Sequence, residues 1–108
     1  MTCNILSDKD PDEDVIITFD FTDALAPGEV LANIASVVVT VNAGVDANPS
    51  AILTSTPWID PTGLFAQQPV INGLDNVTYN IQMLCDTNVP HRRLAVTGIL
   101  PVRAQNNG

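Results

Sequence analysis

Alternation of apolar and polar residues over positions 77–85 predicts a β-strand, and this stretch constrains the fold more than any other. Odd-numbered positions from Val77 to Cys85 are apolar, and the even-numbered ones are polar except for Leu84. Successive side chains of a strand point to opposite faces, so the pattern predicts one face in a core and one in water. Cys85 falls on the inward face and is expected to be a buried free thiol. The rest of the chain is expected to pack around this strand.

The residues that lead into this strand predict a tyrosine corner. Asn72-Gly73 is a turn dipeptide, Leu74 lies five residues before Tyr79, and Tyr79 is on the inward face of the strand. In immunoglobulin-like sandwiches a tyrosine in this position fills the edge of the core, and its hydroxyl bonds to the backbone of the crossing loop. We therefore predict that Tyr79 is a structural corner of such a sandwich.

Further strands are predicted where β-branched residues alternate between turn signals. The predicted segments are 15–21, 34–42, a weaker strand over 51–56, 64–71 and a closing strand over 91–103. Pro69 favours an edge position for the strand over 64–71, because proline has no N–H to donate. The total is about seven strands, which predicts an all-β, immunoglobulin-like β-sandwich.

The length of 108 residues suits one two-layer core. The sandwich is predicted over residues 15–103. Residues 1–14 are expected to be a flexible N-terminal arm with an acidic lead-in segment, and residues 104–108 a flexible polar C-terminal tail. Ile5 and Leu6 have nothing local to bury them, as expected of an arm that docks on a neighbouring protein. Trp58, the only tryptophan, is expected to plug the core or its rim rather than to form a binding platform.

Charge and motif content argue against several classes of function. The formal net charge is −8 with only four cationic residues, which disfavours nucleic acid as a partner. No apolar run is long enough to cross a membrane, and no signal-peptide pattern opens the sequence, so we expect an intracellular protein or one released by lysis. His91 is the one candidate general base near neutral pH, and no nucleophile motif accompanies it. We expect no enzyme activity, no cofactor and no metal site, since the acidic run lacks the glycine of a calcium loop.

Contact with other proteins is the remaining expectation. The candidate contact residues are Ile5 and Leu6 in the arm, Asp10, Asp12 and Glu13 in the acidic segment, and the basic pair Arg92 and Arg93. Opposite charges at separate places are suited to fixing the register of neighbours in an array. An ordinary solvated surface is the alternative interpretation.

Two segments carry a resemblance to a known family. The first is Lys9-Asp10-Pro11-Asp12-Glu13, which leads straight into a strand. The second has the form G-x-x-x-x-T-Y-x-I over Gly73 to Ile81, followed by a polar turn over 86–91, then Arg92-Arg93 and Arg103. These segments resemble small virion proteins of tailed bacteriophages, described as fibre-tail adaptor or head-tail region proteins. The resemblance covers residues 9–15 and 73–103, while residues 22–71 match only in rhythm. Thr22-Asp23 stands where family members usually have a tryptophan, and the usual run of Gly and Thr before Tyr79 is missing.

The resemblance implies an immunoglobulin-like domain that acts as a non-catalytic structural connector in several symmetric copies. Its expected place is the virion, at the tail or neck, after assembly in the bacterial host cytoplasm. There it is expected to link the tail body to fibres, with tail, neck, portal-proximal or fibre subunits as partners. A head decoration protein that clamps the capsid is the alternative of the same class. A carbohydrate-binding module is a third possibility, for which Trp58 is the only candidate aromatic residue.

Overall fold

The computed structural model describes residues 2–5, 9–10 and 13–103, with backbone only for residues 2–5. Within these residues the fold is all-β, with seven strands and one short 3-10 helix over Pro49–Ile52. The strands are β1 (Thr2–Ile5), β2 (Val15–Asp20), β3 (Leu31–Ala43), β4 (Trp58–Ile59), β5 (Phe65–Val70), β6 (Val77–Thr87) and β7 (Arg93–Val102).

The strands form two sheets that share one hydrophobic core. One sheet has the order β1-β7-β6-β3 and the other β2-β5-β4, and all neighbours are antiparallel except β1 and β7. The all-β, sandwich-like fold predicted from the alternation is confirmed. The order β2-β5-β4 matches the B-E-D strands of immunoglobulin-like sandwiches, and the order β3-β6-β7 in the other sheet matches their C-F-G strands. The immunoglobulin assignment itself stays a prediction.

Strand β6 lies between two neighbours and supplies the centre of the core. Its odd-numbered residues, Thr87 included, are all buried and its even-numbered residues are half-buried, as the period-two pattern predicts. From the other sheet, Ile17 and Phe19 of β2 pack into the same cluster. Cys85 is a buried free thiol, and burial, followed by the nearby charge of Asp86, raises its pKa to about 12.

The N-terminal arm is not a free arm over the residues that the structure describes. Residues 2–5 form β1, which pairs in parallel with β7 from Thr2 opposite Val96 to Ile5 opposite Ile99. Lys9 continues this edge, and its backbone N–H donates to the carbonyl of Pro101 at 2.9 Å. A free arm is expected from side-chain burial alone, but the segment is held by backbone pairing, because the edge of β7 offers N–H and C=O groups that need partners. Leu6, Asp12 and the tail over 104–108 lie outside the described residues.

Two predictions for the middle of the chain are wrong: a strand over 51–56, and an edge position for the strand over 64–71. The segment over 51–56 contains the end of the 3-10 helix, a single bridge at Leu53 and no strand, because Pro49 fits the first turn of a helix. Strand β5 is the centre of its sheet rather than an edge. Pro69 is tolerated there because its missing N–H is not needed for pairing. Its carbonyl accepts from the Thr54 N–H, and its nitrogen faces the same side, where β4 pairs only with Ala66 and Gln67 and does not extend to Pro69.

Candidate functional site

The tyrosine corner ties the loop before β6 to the loop after β3. The Tyr79 side chain is fully buried, and its hydroxyl accepts a hydrogen bond from the Leu74 N–H at 3.0 Å. This is the backbone hydrogen bond that the sequence predicted. The hydroxyl also donates to Asp46 Oδ2 at 2.6 Å. Burial, and after it the bond to Asp46, raises the pKa of Tyr79 to about 12. Sequence reasoning missed Asp46, since it lies 33 residues from Tyr79.

The backbone of the corner needs its turn dipeptide. Asn72 and Gly73 both have positive φ, 55° and 97°. A Cβ atom on Gly73 would lie 3.0 Å from a methyl group of Val102 and 3.6 Å from the ring of Tyr79. Glycine is therefore required here by the left-handed conformation and by the close approach of β7.

Lys9 joins the N-terminal segment to this corner. Its side chain is 1% exposed, and Nζ donates to the carbonyl of Asn72 at 2.7 Å and to that of Asp10 at 2.8 Å. The Asp10 N–H donates to Glu13 Oε1 at 2.8 Å, and the Glu13 N–H donates to the Asp10 carbonyl at 3.0 Å. Two of the acidic contact candidates, Asp10 and Glu13, are therefore bonded to each other. The two segments that carry the family resemblance meet where the backbone of Lys9 bonds to Pro101 and Arg103.

Arg92 is paired within its own domain. Its Nε lies 2.6 Å from Glu29 Oε2, and its Nη2 donates to the Ala24 carbonyl at 2.9 Å. Glu29 is buried and also accepts hydrogen bonds from the Thr87 hydroxyl at 2.6 Å and the Ala26 N–H at 2.8 Å. The bond from Thr87, then that from Ala26 and the charge of Arg92, lower the pKa of the Glu29 carboxyl.

Arg93, the first residue of β7, is also paired within its own domain, with Asp86 of β6. Its Nε lies 2.7 Å from Asp86 Oδ1, and the Asn33 amide donates to Asp86 Oδ2 at 3.0 Å. The bonds from Arg93 and then Asn33 lower the pKa of the Asp86 carboxyl. The predicted separation of a basic hairpin from acidic surfaces is therefore wrong at Arg92 and Arg93, because each arginine compensates a carboxylate of its own domain. Their guanidinium groups stay partly exposed, so contact with another protein there remains a prediction.

Trp58 lies on the outer face of the β2-β5-β4 sheet and does not plug the core. It is 40% exposed and sits opposite Gln67, which in turn sits opposite Thr18. The indole N–H donates to Gln67 Oε1 at 2.7 Å, and Gln67 Nε2 donates to Thr18 Oγ1 at 3.2 Å. Ile16, 57% exposed, occupies the same face. The sheet therefore presents one tryptophan and one isoleucine to its surroundings.

A groove of about 640 Å³ runs between β3 and the segment over 53–59. Its lining includes Ile34, Ser36 and Trp58, and none of its lining residues is charged. His91, the candidate general base, lies exposed in the turn between β6 and β7, with a positive φ of 63°.

No three metal-ligating side chains cluster among the residues that the structure describes. In the same part of the chain, no helix is long and apolar enough to span a membrane. Comparisons with protein-family models, with curated proteins and with solved structures returned no match for this chain.

Proposed function

We propose that this chain is a non-catalytic structural protein of a tailed-bacteriophage virion, a tail or neck adaptor that links the tail body to fibres. The observation that carries the proposal is a pair of backbone hydrogen bonds at Lys9, whose N–H donates to the Pro101 carbonyl at 2.9 Å and whose carbonyl accepts from the Arg103 N–H at 2.8 Å. They join the two segments that resemble the virion family, so the resemblance covers residues with a common structural role. Matching residues spread over separate surfaces would support the proposal less.

The physical character of the domain supports a connector. Across the described residues, every buried side-chain nitrogen and oxygen has a hydrogen-bond partner. The hydrogen-bonded corner, together with buried Glu29, fixes loops at both ends of the β3–β6 pair. A rigid domain that keeps its loops in place can hold neighbouring subunits at a fixed spacing. The exposed Ile16 and Trp58 offer apolar area for such contacts.

The proposal is tested by purifying particles of the phage whose genome encodes this chain and quantifying the chain by mass spectrometry. We expect it to sediment with the particles at a constant multiple of a known tail protein, and to stay with tails after heads and tails are separated. A chain that remains in the soluble fraction of the lysate would refute the proposal. Recovery with heads alone would favour the capsid decoration alternative.

A second candidate, carbohydrate binding, is favoured by one observation. The indole N–H of Trp58 is engaged by Gln67, and the residue is 40% exposed, which suits stacking of the ring on a sugar. Trp58 is the only tryptophan, so its fluorescence reports directly on a bound glycan. A binding isotherm that disappears in Trp58→Ala but survives in Trp58→Phe, measured by calorimetry, would support this function. Unchanged fluorescence over a glycan panel would count against it.

A further inference from the structure

Strand β3 is the longest unpaired edge among the described strands. It runs for 13 residues and pairs with β6 on one side only. The other edge strands are shorter: β1 has four residues, β4 has two, and β2 has six. Short edges are a common protection against pairing with another chain, and β3 lacks that protection.

The residues of β3 also lack the usual chemical protection of an edge. The strand Leu31–Ala43 contains no charged residue and no proline, whereas β2 ends in Asp20. Register irregularities lie near both ends, but the pairing from Ser36 to Val41 is regular. This regular part is rich in β-branched valine and threonine, which favour further strand pairing.

The inward face of β3 is less well covered than that of β6. Ile34, Val37 and Val41 are only half-buried, although they pack against the core, whereas the inward residues of β6 are fully buried. On the outward face Val38 is 44% exposed. An additional strand alongside β3 would cover both sets of apolar side chains and pair the free backbone groups.

We propose that the free edge of β3 binds the β3 strand of a second copy of this chain. The two strands run antiparallel over Ser36–Thr40 around a two-fold axis at Val38, so that each copy uses the same surface and Val38 lies opposite Val38 of the second copy. This uncharged strand suits self-association, because two copies of net charge −8 meet there without like charges opposed. Charges elsewhere still repel, so added salt strengthens the dimer. This pairing does not depend on the proposed role in a virion.

The test is sedimentation velocity of the purified full-length chain over a wide concentration range, at low and at high salt. We expect a concentration-dependent dimer that becomes stronger with salt. Val38→Lys places a like charge from each copy at the two-fold axis and is expected to weaken the dimer by at least about tenfold. Val45→Lys is the matched control, since it makes the same charge change at a loop residue that is 86% exposed. It is expected to dimerise like the unaltered chain.

Two further measurements keep the result interpretable. Circular dichroism is expected to give the same spectrum and melting curve for dilute Val38→Lys and Val45→Lys, which shows that the first is folded. Hydrogen exchange of the unaltered chain is expected to slow over residues 36–41 as its concentration rises. A monomer at every concentration and salt level overturns the proposal. So does a dimer that Val38→Lys leaves intact, because the contact then lies on another surface.

Discussion

Replacing Tyr79 with phenylalanine tests the corner by removing a single hydroxyl group. That hydroxyl accepts the Leu74 N–H at 3.0 Å and donates to Asp46 Oδ2 at 2.6 Å. A neutral hydrogen bond contributes about 1 kcal/mol to stability and one to a charged group about 1.5–3 kcal/mol. Asp46 is half-exposed, so water recovers part of the second bond. We therefore expect Tyr79→Phe to lower the free energy of unfolding by about 2 kcal/mol.

The assay is urea unfolding followed by the fluorescence of Trp58, which lies outside the corner. The free energy in water comes from linear extrapolation, and an unchanged slope shows that the variant unfolds in the same manner. A double-mutant cycle with Asp46→Ala isolates the bond between the two side chains, for which we expect a coupling of about 1 kcal/mol. Val45→Ala, a change in the exposed loop next to Asp46, serves as the control and is expected to leave stability unchanged.

Two results would refute this reasoning. One is a loss below about 0.5 kcal/mol for Tyr79→Phe, which is the range of ordinary surface substitutions. The other is strict additivity of Tyr79→Phe and Asp46→Ala, which would mean that the two groups do not interact in solution. Either result would remove the hydroxyl from the account of what holds the loops at this end of the sandwich.

Three more predictions concern buried polar groups. Lys9→Met keeps the apolar stem but removes the ammonium group and its two hydrogen bonds, so we expect the free energy of unfolding in urea to fall by about 2 kcal/mol. Ile16→Thr, a change at an exposed residue away from Lys9, is the control and is expected to leave that free energy nearly unchanged. Arg92→Gln leaves Glu29 without its cation. The folded-state pKa of Glu29 is lowered, so the ionised carboxylate stabilises the folded chain. This stabilisation is fully present above the usual pKa of 4.5 and is lost as the pH falls through the folded-state pKa. Thermal melting of Arg92→Gln should therefore show a larger deficit at neutral pH than in acid, and equal deficits would contradict the pairing. The phenol of Tyr79, the only tyrosine, should titrate near pH 12 in ultraviolet absorbance. Because its folded-state pKa is raised, the protonated phenol stabilises the folded chain fully below about pH 10, and this stabilisation is lost as the pH rises through 12. Titration of the folded chain at pH 10 would contradict the buried, hydrogen-bonded hydroxyl.

Local patterns predicted the parts of the fold that depend on side-chain periodicity. The alternation over residues 77–85 predicted β6, its buried face and the thiol of Cys85, because each depends only on which side chains point inward. The spacing from Leu74 to Tyr79 predicted the corner hydrogen bond, since a local loop can only return to a nearby backbone group.

The parts that were missed depend on long-range backbone and charge pairing. Strand β1 forms because β7 has an open edge, and nothing within Thr2–Ile5 encodes that partner. The pairing of Arg92 with Glu29 joins residues far apart in the chain, so the charge count alone left both available to partners. Trp58 was expected in the core because tryptophans in sandwiches often are there. The two-residue strand β4 instead turns it outward, opposite Gln67.

The measurement that tests the central claim most directly is a cryo-electron microscopy reconstruction of the particle whose genome encodes this chain. The proposed connector role predicts density for a small two-sheet domain, repeated in a symmetric ring at the tail or neck and in contact with fibre subunits. The sheets should be fitted by β1-β7-β6-β3 and β2-β5-β4 as observed. Density distributed over the capsid lattice would replace the adaptor role with decoration. A well-resolved particle with no density for this domain would contradict the virion role altogether.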